Sequence, residues 1–382
     1  MKPRILVWGT TAVSIAIVAA GIVSGDELQR NFAGSIQVDY MAVPTEDVAR
    51  KIAFDGATLE LSMKLAIDFG PNTSANVKVC YACHGFEVGM AFFDMRVADQ
   101  LNFRVGRFSP AFGEFPLRHD PANHRTSDKP LPYDMGRMLR HQDWNEGILP
   151  APWVDNGIEI SGTQYFQKLT QLDYAVYAIM GPRANAGALD FDFVQSHNPV
   201  YLDNNSRPSI GGRLAGTLGL GESSTVSLGV SGMYGTYDPD NKLTFLIGGA
   251  DLVLRLNAVF FRTEYLIRRT EFDLGPTPQT TFRYGPGPDG KYDDFLVKDG
   301  FYTELEFPVG PFDFVGRWDG LRRRGNVPIA SPLRSTSEVL RYTVAMTYRV
   351  WQALRIKLSG EFYDFSDFAD EGVIHLGLAG PF

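Results

Sequence analysis

The sequence predicts an all-β chain, a 16-stranded antiparallel transmembrane β-barrel with a long inward-folding loop. Three observations predict it: an export segment at the N-terminus, apolar residues alternating with charged ones over long stretches, and a chain that ends on an aromatic. Composition agrees with 39 Gly, 27 Phe, 16 Tyr and 44% hydrophobic residues that never gather into a second run of spanning length. The net charge of −8 weighs against a nucleic-acid partner.

At the N-terminus, Lys2 and Arg4 precede an uncharged run from Ile5 to Val23, and small residues Ser24 and Gly25 precede Asp26. That is the layout of a secretory signal peptide. A retained membrane helix is the alternative, since the run approaches the ~20 residues a span needs. The small residues Ala19, Ala20 and Gly25 favour cleavage. Residues 1–25 are therefore the signal peptide and 26–382 the barrel, placed in the bacterial outer membrane.

Period two dominates the barrel segment. Between Ala57 and Phe69, Leu59, Leu61, Met63, Leu65, Ile67 and Phe69 share one face, while Glu60, Ser62, Lys64, Ala66 and Asp68 share the other. The same alternation returns at Leu340–Arg349 and at Leu354–Ser359, with Arg341, Arg349, Arg355 and Lys357 on the inward face. A soluble core could not bury so many unpaired charges cheaply. A barrel with lipid outside and a polar interior can. Strands are expected near 35–43, 48–54, 57–69, 86–98, 101–109, 156–166, 171–181, 208–220, 224–237, 243–257, 258–272, 300–309, 312–324, 338–350, 353–366 and 371–382. Asp55-Gly56 is the hairpin signal for the second of these. With both termini periplasmic, Asp55-Gly56, Asp99-Gln100, Gly310-Pro311 and Trp351-Gln352 are expected as short periplasmic turns. Ile374, Leu376, Leu378 and the terminal Phe382 face outward on the last strand.

Cys80-Tyr81-Ala82-Cys83-His84 holds both cysteines of the chain in C-x-x-C-H spacing. That spacing suits a c-type haem: two thiols bind the porphyrin vinyl groups and the adjoining imidazole takes the iron. The sequence thus predicts one covalent haem c on Cys80 and Cys83, with His84 as proximal ligand, in an insertion over 70–86 on the extracellular side. A reducible Cys80–Cys83 pair and two ordinary thiols are the plainer alternatives. Export fits haem attachment in an oxidising compartment.

The connection from Ser109 to Asp155 is long, and its Trp, Phe, Leu and Met content predicts a packed loop. It carries His119, His124 and His141 together with Met135 and Met138, the candidates for a distal haem ligand. Inward charges of both signs nearly cancel, so no ion selectivity follows. No hydrolytic constellation stands out, and no enzyme is expected.

Asn102-FRVGRFSPAF-Gly113 resembles the phosphate-selective porin O and P family, in which a V-G-x-F run, a proline and Phe-Gly precede the constriction loop. Ala91-FFDMR-Val97 and Asn156-GIEIS-Gly162 are similar to that family's flanking strands. The resemblance implies a porin barrel whose third loop narrows the channel. The haem motif departs from that family and resembles, in concept only, single-haem porin–cytochrome fusions. Two functions are therefore expected. One is electron transfer at or across the outer membrane, with a periplasmic cytochrome as partner because one haem cannot bridge a ~30 Å hydrocarbon core. The other is a general or anion-selective diffusion porin passing small solutes or ions, with a non-haem C-x-x-C-H. Lipid is a partner in both, and a homotrimer is left open.

Overall fold

The computed structural model describes residues 29–43, 56–82, 85–167, 170–197, 202–351 and 353–382. The signal-peptide segment and the expected strand over 48–54 lie outside the described residues, as do Cys83 and His84. The strands are β1 (Gln29–Ala42), β2 (Gly56–Gly70), β3 (Thr73–Ala82), β4 (Gly85–Ala98), β5 (Leu101–Phe108), β6 (Asp155–Gln167), β7 (Thr170–Ile179) and β8 (Ser209–Gly219). They continue with β9 (Ser224–Thr236), β10 (Thr244–Leu256), β11 (Val259–Glu271), β12 (Phe295–Val309), β13 (Phe312–Arg324), β14 (Thr336–Arg349), β15 (Arg355–Phe365) and β16 (Glu371–Pro381).

Each strand pairs antiparallel with its neighbours in sequence, and β1 pairs with β16, closing a 16-stranded barrel. At the seam, Gly34 and Phe382 exchange backbone hydrogen bonds of 2.8 and 3.0 Å. The Phe382 ring lies directly against Gly34, where a Cβ would collide with it. Only glycine admits the terminal ring at that point.

The strand count is the one the sequence predicts, but one strand differs. The stretch 70–86 is no insertion: it holds β3, paired over its length with β2 and β4, and the motif falls at its hairpin. The error has a physical source. The inward face of β3 is Ser74, Asn76, Lys78 and Cys80, and Ala75 dilutes the outward face, so apolar contrast is weak. Gly56, expected in a periplasmic turn, begins β2 at the opposite end of the barrel, and β2 turns into β3 through Pro71-Asn72. Two-residue turns at 71–72, 99–100, 257–258 and 310–311 share one end, and the connections 109–154, 180–208 and 272–294 share the other. Short turns face the periplasm and long loops the exterior, so the β3–β4 end of the strands lies with the long loops.

Outward residues are apolar and exposed, as at Val344 (73%) and Leu376, and the inward neighbours of these two, Thr343, Ala345, His375 and Gly377, are buried. The buried apolar core lies inside the barrel. Phe108, Phe115, Tyr133, Trp144 and Trp153, from β5 and the segment after it, pack there against Tyr302, Leu266 and Tyr363 of the wall. The interior is filled by protein and is not simply a water-filled lumen.

Candidate functional site

Residues 109–154 form little regular structure, with single helical turns at Phe115–Arg118, Leu131–Tyr133 and His141–Trp144. A buried segment without strand or helix partners must find other hydrogen bonds for its backbone. The inward charges of the wall supply them. Glu159 of β6 accepts from Ala111 N at 3.0 Å, and Asp319 of β13 from Leu131 N at 2.9 Å. Glu264 of β11 accepts from the backbone of Glu114 and Phe115. Cations take the carbonyls. Lys298 of β12 donates to Trp144 O, Asn145 O and Glu146 O at 2.6, 3.1 and 3.3 Å. Lys357 of β15 donates to Pro121 O at 2.6 Å, and Arg268 of β11 to Ile148 O at 3.0 Å. Carboxylates meet N–H groups and cations meet C=O groups, so the mixed signs on the wall are the chemistry of loop docking.

Side-chain pairs fasten the same loop. Arg137 bridges Asp39 of β1 and Glu60 of β2, and stands 2.8 Å from Asp128 within the loop. Arg125 reaches Glu306 at 3.2 Å and Asp313 at 3.1 Å. Arg341 of β14 joins Asp319, Glu361 and Lys129 O. Sequence reasoning places many of these wall residues inward but assigns them to solvent, because nothing in the pattern reveals that a loop covers them.

Of Cys80, Cys83 and His84, Cys80 is the one among the described residues. Cys80 is on the inward face of β3, opposite Ser62 and Glu87 in register. A Cβ at Gly89 would come within 3.1 Å of Cys80 Sγ, so glycine there leaves room for the thiol. Of the five distal candidates, His119 is the one whose hydrogen bonds reach β3. Its Nε2 accepts from Lys78 Nζ at 2.8 Å and its Nδ1 donates to Pro116 O at 2.5 Å, and Lys78 also pairs with Asp120 at 2.5 Å. Burial and the Lys78 cation push His119 down to about 4, so its imidazole is neutral and both nitrogens are engaged. His124 Nδ1 donates to Thr126 O, 2.9 Å away, and its ring packs on Phe115. Met135 Sδ accepts from Lys129 at 3.2 Å, Met138 is buried in the core, and His141 begins a helical turn. Through Lys78, His119 is thus tied to the strand that carries Cys80.

Sequence reasoning missed His375, buried on the inward face of β16, with Nδ1 3.0 Å from Asp39 Oδ2. Its one available signal was its place among outward Ile374 and Leu376 in an alternating strand.

No family model matches the chain, and no curated protein does. Solved structures do. The chain is similar to an anion-selective porin from Comamonas acidovorans, with TM-score 0.56, 11% identity, and coverage of 93% of this chain and 100% of that one. It is also similar to the outer-membrane channel DcaP of Acinetobacter baumannii, with TM-score 0.52, 10% identity, and coverage of 93% and 97%. OmpF of Salmonella typhi gives TM-score 0.52, 9% identity, and coverage of 92% and 97%. At these identities the likeness is one of fold: an outer-membrane porin barrel, which places the protein in a bacterial outer membrane.

Proposed function

We propose that the chain is an outer-membrane diffusion channel for small hydrophilic solutes, narrowed by its docked loop. The observation that carries this reading is an asymmetry of the inner wall. On β14 and β15 the inward residues are buried to within one residue pair of the periplasmic turn, at Thr347 and Lys357. On β2, β4, β5 and β7, Lys64, Asp94, Arg104 and Asp173 keep partial exposure. Water thus reaches one side of the wall while the loop fills the other. Arg104 lies between Asp94 at 2.8 Å and Glu159 at 3.2 Å, so this strip presents ion pairs and no row of unopposed cations. That favours general diffusion over strong anion selectivity. Single-channel recording in planar bilayers tests the reading. A small steady conductance is expected, with a reversal potential near zero in a KCl gradient. It should rise several-fold when residues 112–151 are replaced by a short Gly-Ser linker in a barrel that keeps its heat-resistant mobility. No conductance in either protein would overturn it.

A second reading has one observation behind it. Cys80 faces inward two residues before the end of β3, beside the strand position that His119 contacts. In an uninterrupted strand, residues three apart face opposite sides. Both thiols reach one porphyrin only through the hairpin between β3 and β4. Were a haem c held there by Cys80, Cys83 and His84, it would supply one-electron chemistry at the extracellular mouth, and a periplasmic cytochrome would be its partner. Haem staining after denaturing electrophoresis tests this. A colourless protein from a host with haem-attachment machinery removes it.

A further inference from the structure

We propose that Asp128 of the loop, Glu361 of β15 and His375 of β16 form a binding site for one divalent transition-metal ion that fastens the loop to the wall. Such a site goes beyond the channel reading and stands whatever solute passes. His375 Nε2 lies 3.5 Å from Asp128 Oδ2 and 3.8 Å from Glu361 Oε2, and one donor atom from each of the three falls within 4.8 Å of the others. Those separations are too long for hydrogen bonds. They are near the ~3.4 Å edge of a tetrahedron built on bonds of ~2.1 Å.

Two further observations point to a ligand. His375 is 0% exposed, yet its Nε2 has no hydrogen-bond partner, and Asp128 Oδ2 has none either. The far side of the ring is already set: Nδ1 lies 3.0 Å from Asp39 Oδ2, which turns Nε2 toward the two carboxylates. A carboxylate behind an imidazole is the arrangement that orients histidine ligands in metal sites. A narrow cleft lined by Glu60, His124, Lys129, Met135 and Arg137 borders Asp128. Arg137 Nε, 2.8 Å from Asp128 Oδ1, and Arg341 Nη1, 3.2 Å from Glu361 Oε2, share these carboxylates. Each carboxylate has about four lone-pair sites, enough for a guanidinium and an ion together. One imidazole and two carboxylates suit Zn²⁺ or Mn²⁺ over soft monovalent ions.

Untagged barrel carrying Cys80→Ser and Cys83→Ser, so that thiols bind no metal, is stripped with chelator and titrated with Zn²⁺ by equilibrium dialysis at neutral pH. One saturable ion per barrel is expected, with Asp128→Asn and His375→Gln each weakening it at least about tenfold and His119→Gln leaving it unchanged. Zn²⁺ should also slow tryptic cleavage of the loop, an effect lost in Asp128→Asn. Asp128 belongs to no strand, so that variant serves even if His375→Gln fails to assemble. No saturable uptake, or uptake unchanged by Asp128→Asn, overturns the site and leaves a proton as the occupant.

Discussion

Arg341 is fully buried and serves four partners at once: Asp319 at 2.6 and 3.0 Å, Glu361 at 3.2 Å, the Tyr363 hydroxyl at 3.2 Å and Lys129 O at 2.6 Å. Taking it away leaves two buried carboxylates with only the more distant Arg317, at 3.4 and 3.8 Å, as a guanidinium partner. Removing one member of such a network costs about 3–5 kcal/mol, so Arg341→Met is expected to lower unfolding stability in detergent by that order. Arg341→Lys should recover little, since a single ammonium cannot reproduce the guanidinium fork. A loss under ~1 kcal/mol would mean that water screens the network. Three residues along, Val344 stands 73% exposed on the outward face. Val344→Arg should cost about 2–4 kcal/mol near the bilayer midplane. Its inward neighbour Thr343 has a buried hydroxyl without a hydrogen-bond partner, so Thr343→Ala should cost little. Equal sensitivity at 343 and 344 would contradict the two faces.

Among the elements, the loop is the one whose stability is tied to pH. Burial, helped by the Asp134 carboxylate, pushes Glu146 from 4.5 up to about 8. One of its carboxylate oxygens is buried without a hydrogen-bond partner. A docked loop therefore keeps a proton that the released loop gives up. Docking is strongest below the released value of 4.5, weakens as pH rises through the window up to about 8, and levels off above it. The slope reaches at most ~1.4 kcal/mol per pH unit. Tryptic cutting within 109–154, normalised to a peptide substrate, should accelerate up to about tenfold between pH 7 and pH 9, and Glu146→Gln should abolish the difference. Cleavage that is equally slow in both proteins at both pH values would refute this. That the loop is packed was legible from its Trp153, Trp144, Phe115 and Leu131. Where it docks was not, because its partners are single charges spread over β6, β11, β12, β13 and β15, far away in sequence.

The molecule as a whole depends on one seam. Gly34 and Phe382 join the first strand to the last, and the Phe382 ring lies within 5.9 Å of the Phe32 ring. Gly34→Val would push a side chain into that ring and toward Ser62 O, 2.7 Å from the Cβ position. Assembly should fall sharply for Gly34→Val and for a chain lacking Phe382, read as the fraction migrating as the heat-resistant form. Full assembly in both would show that closure does not rest on this contact.

By itself the sequence determined the barrel, because each strand writes its two environments in a period of two, lipid on one side and polar interior on the other. Strand β14 shows this: Tyr342 and Val344 are exposed while Arg341, Thr343 and Ala345 are buried. The terminal Phe382 and the packed character of 109–154 were legible too. Only the tertiary structure decided that 73–82 is a strand, since Ser74, Asn76 and Ala75 give its two faces too little contrast. It also decided what the inward charges do. Alternation says that Glu264, Lys298, Asp319 and Lys357 point inward, and no local rule says what they meet. Only the closed barrel brings Leu131 to Asp319, 188 residues away, and Pro121 to Lys357, 236 residues away. Contacts at such separations leave no period in the chain, and they fill the lumen.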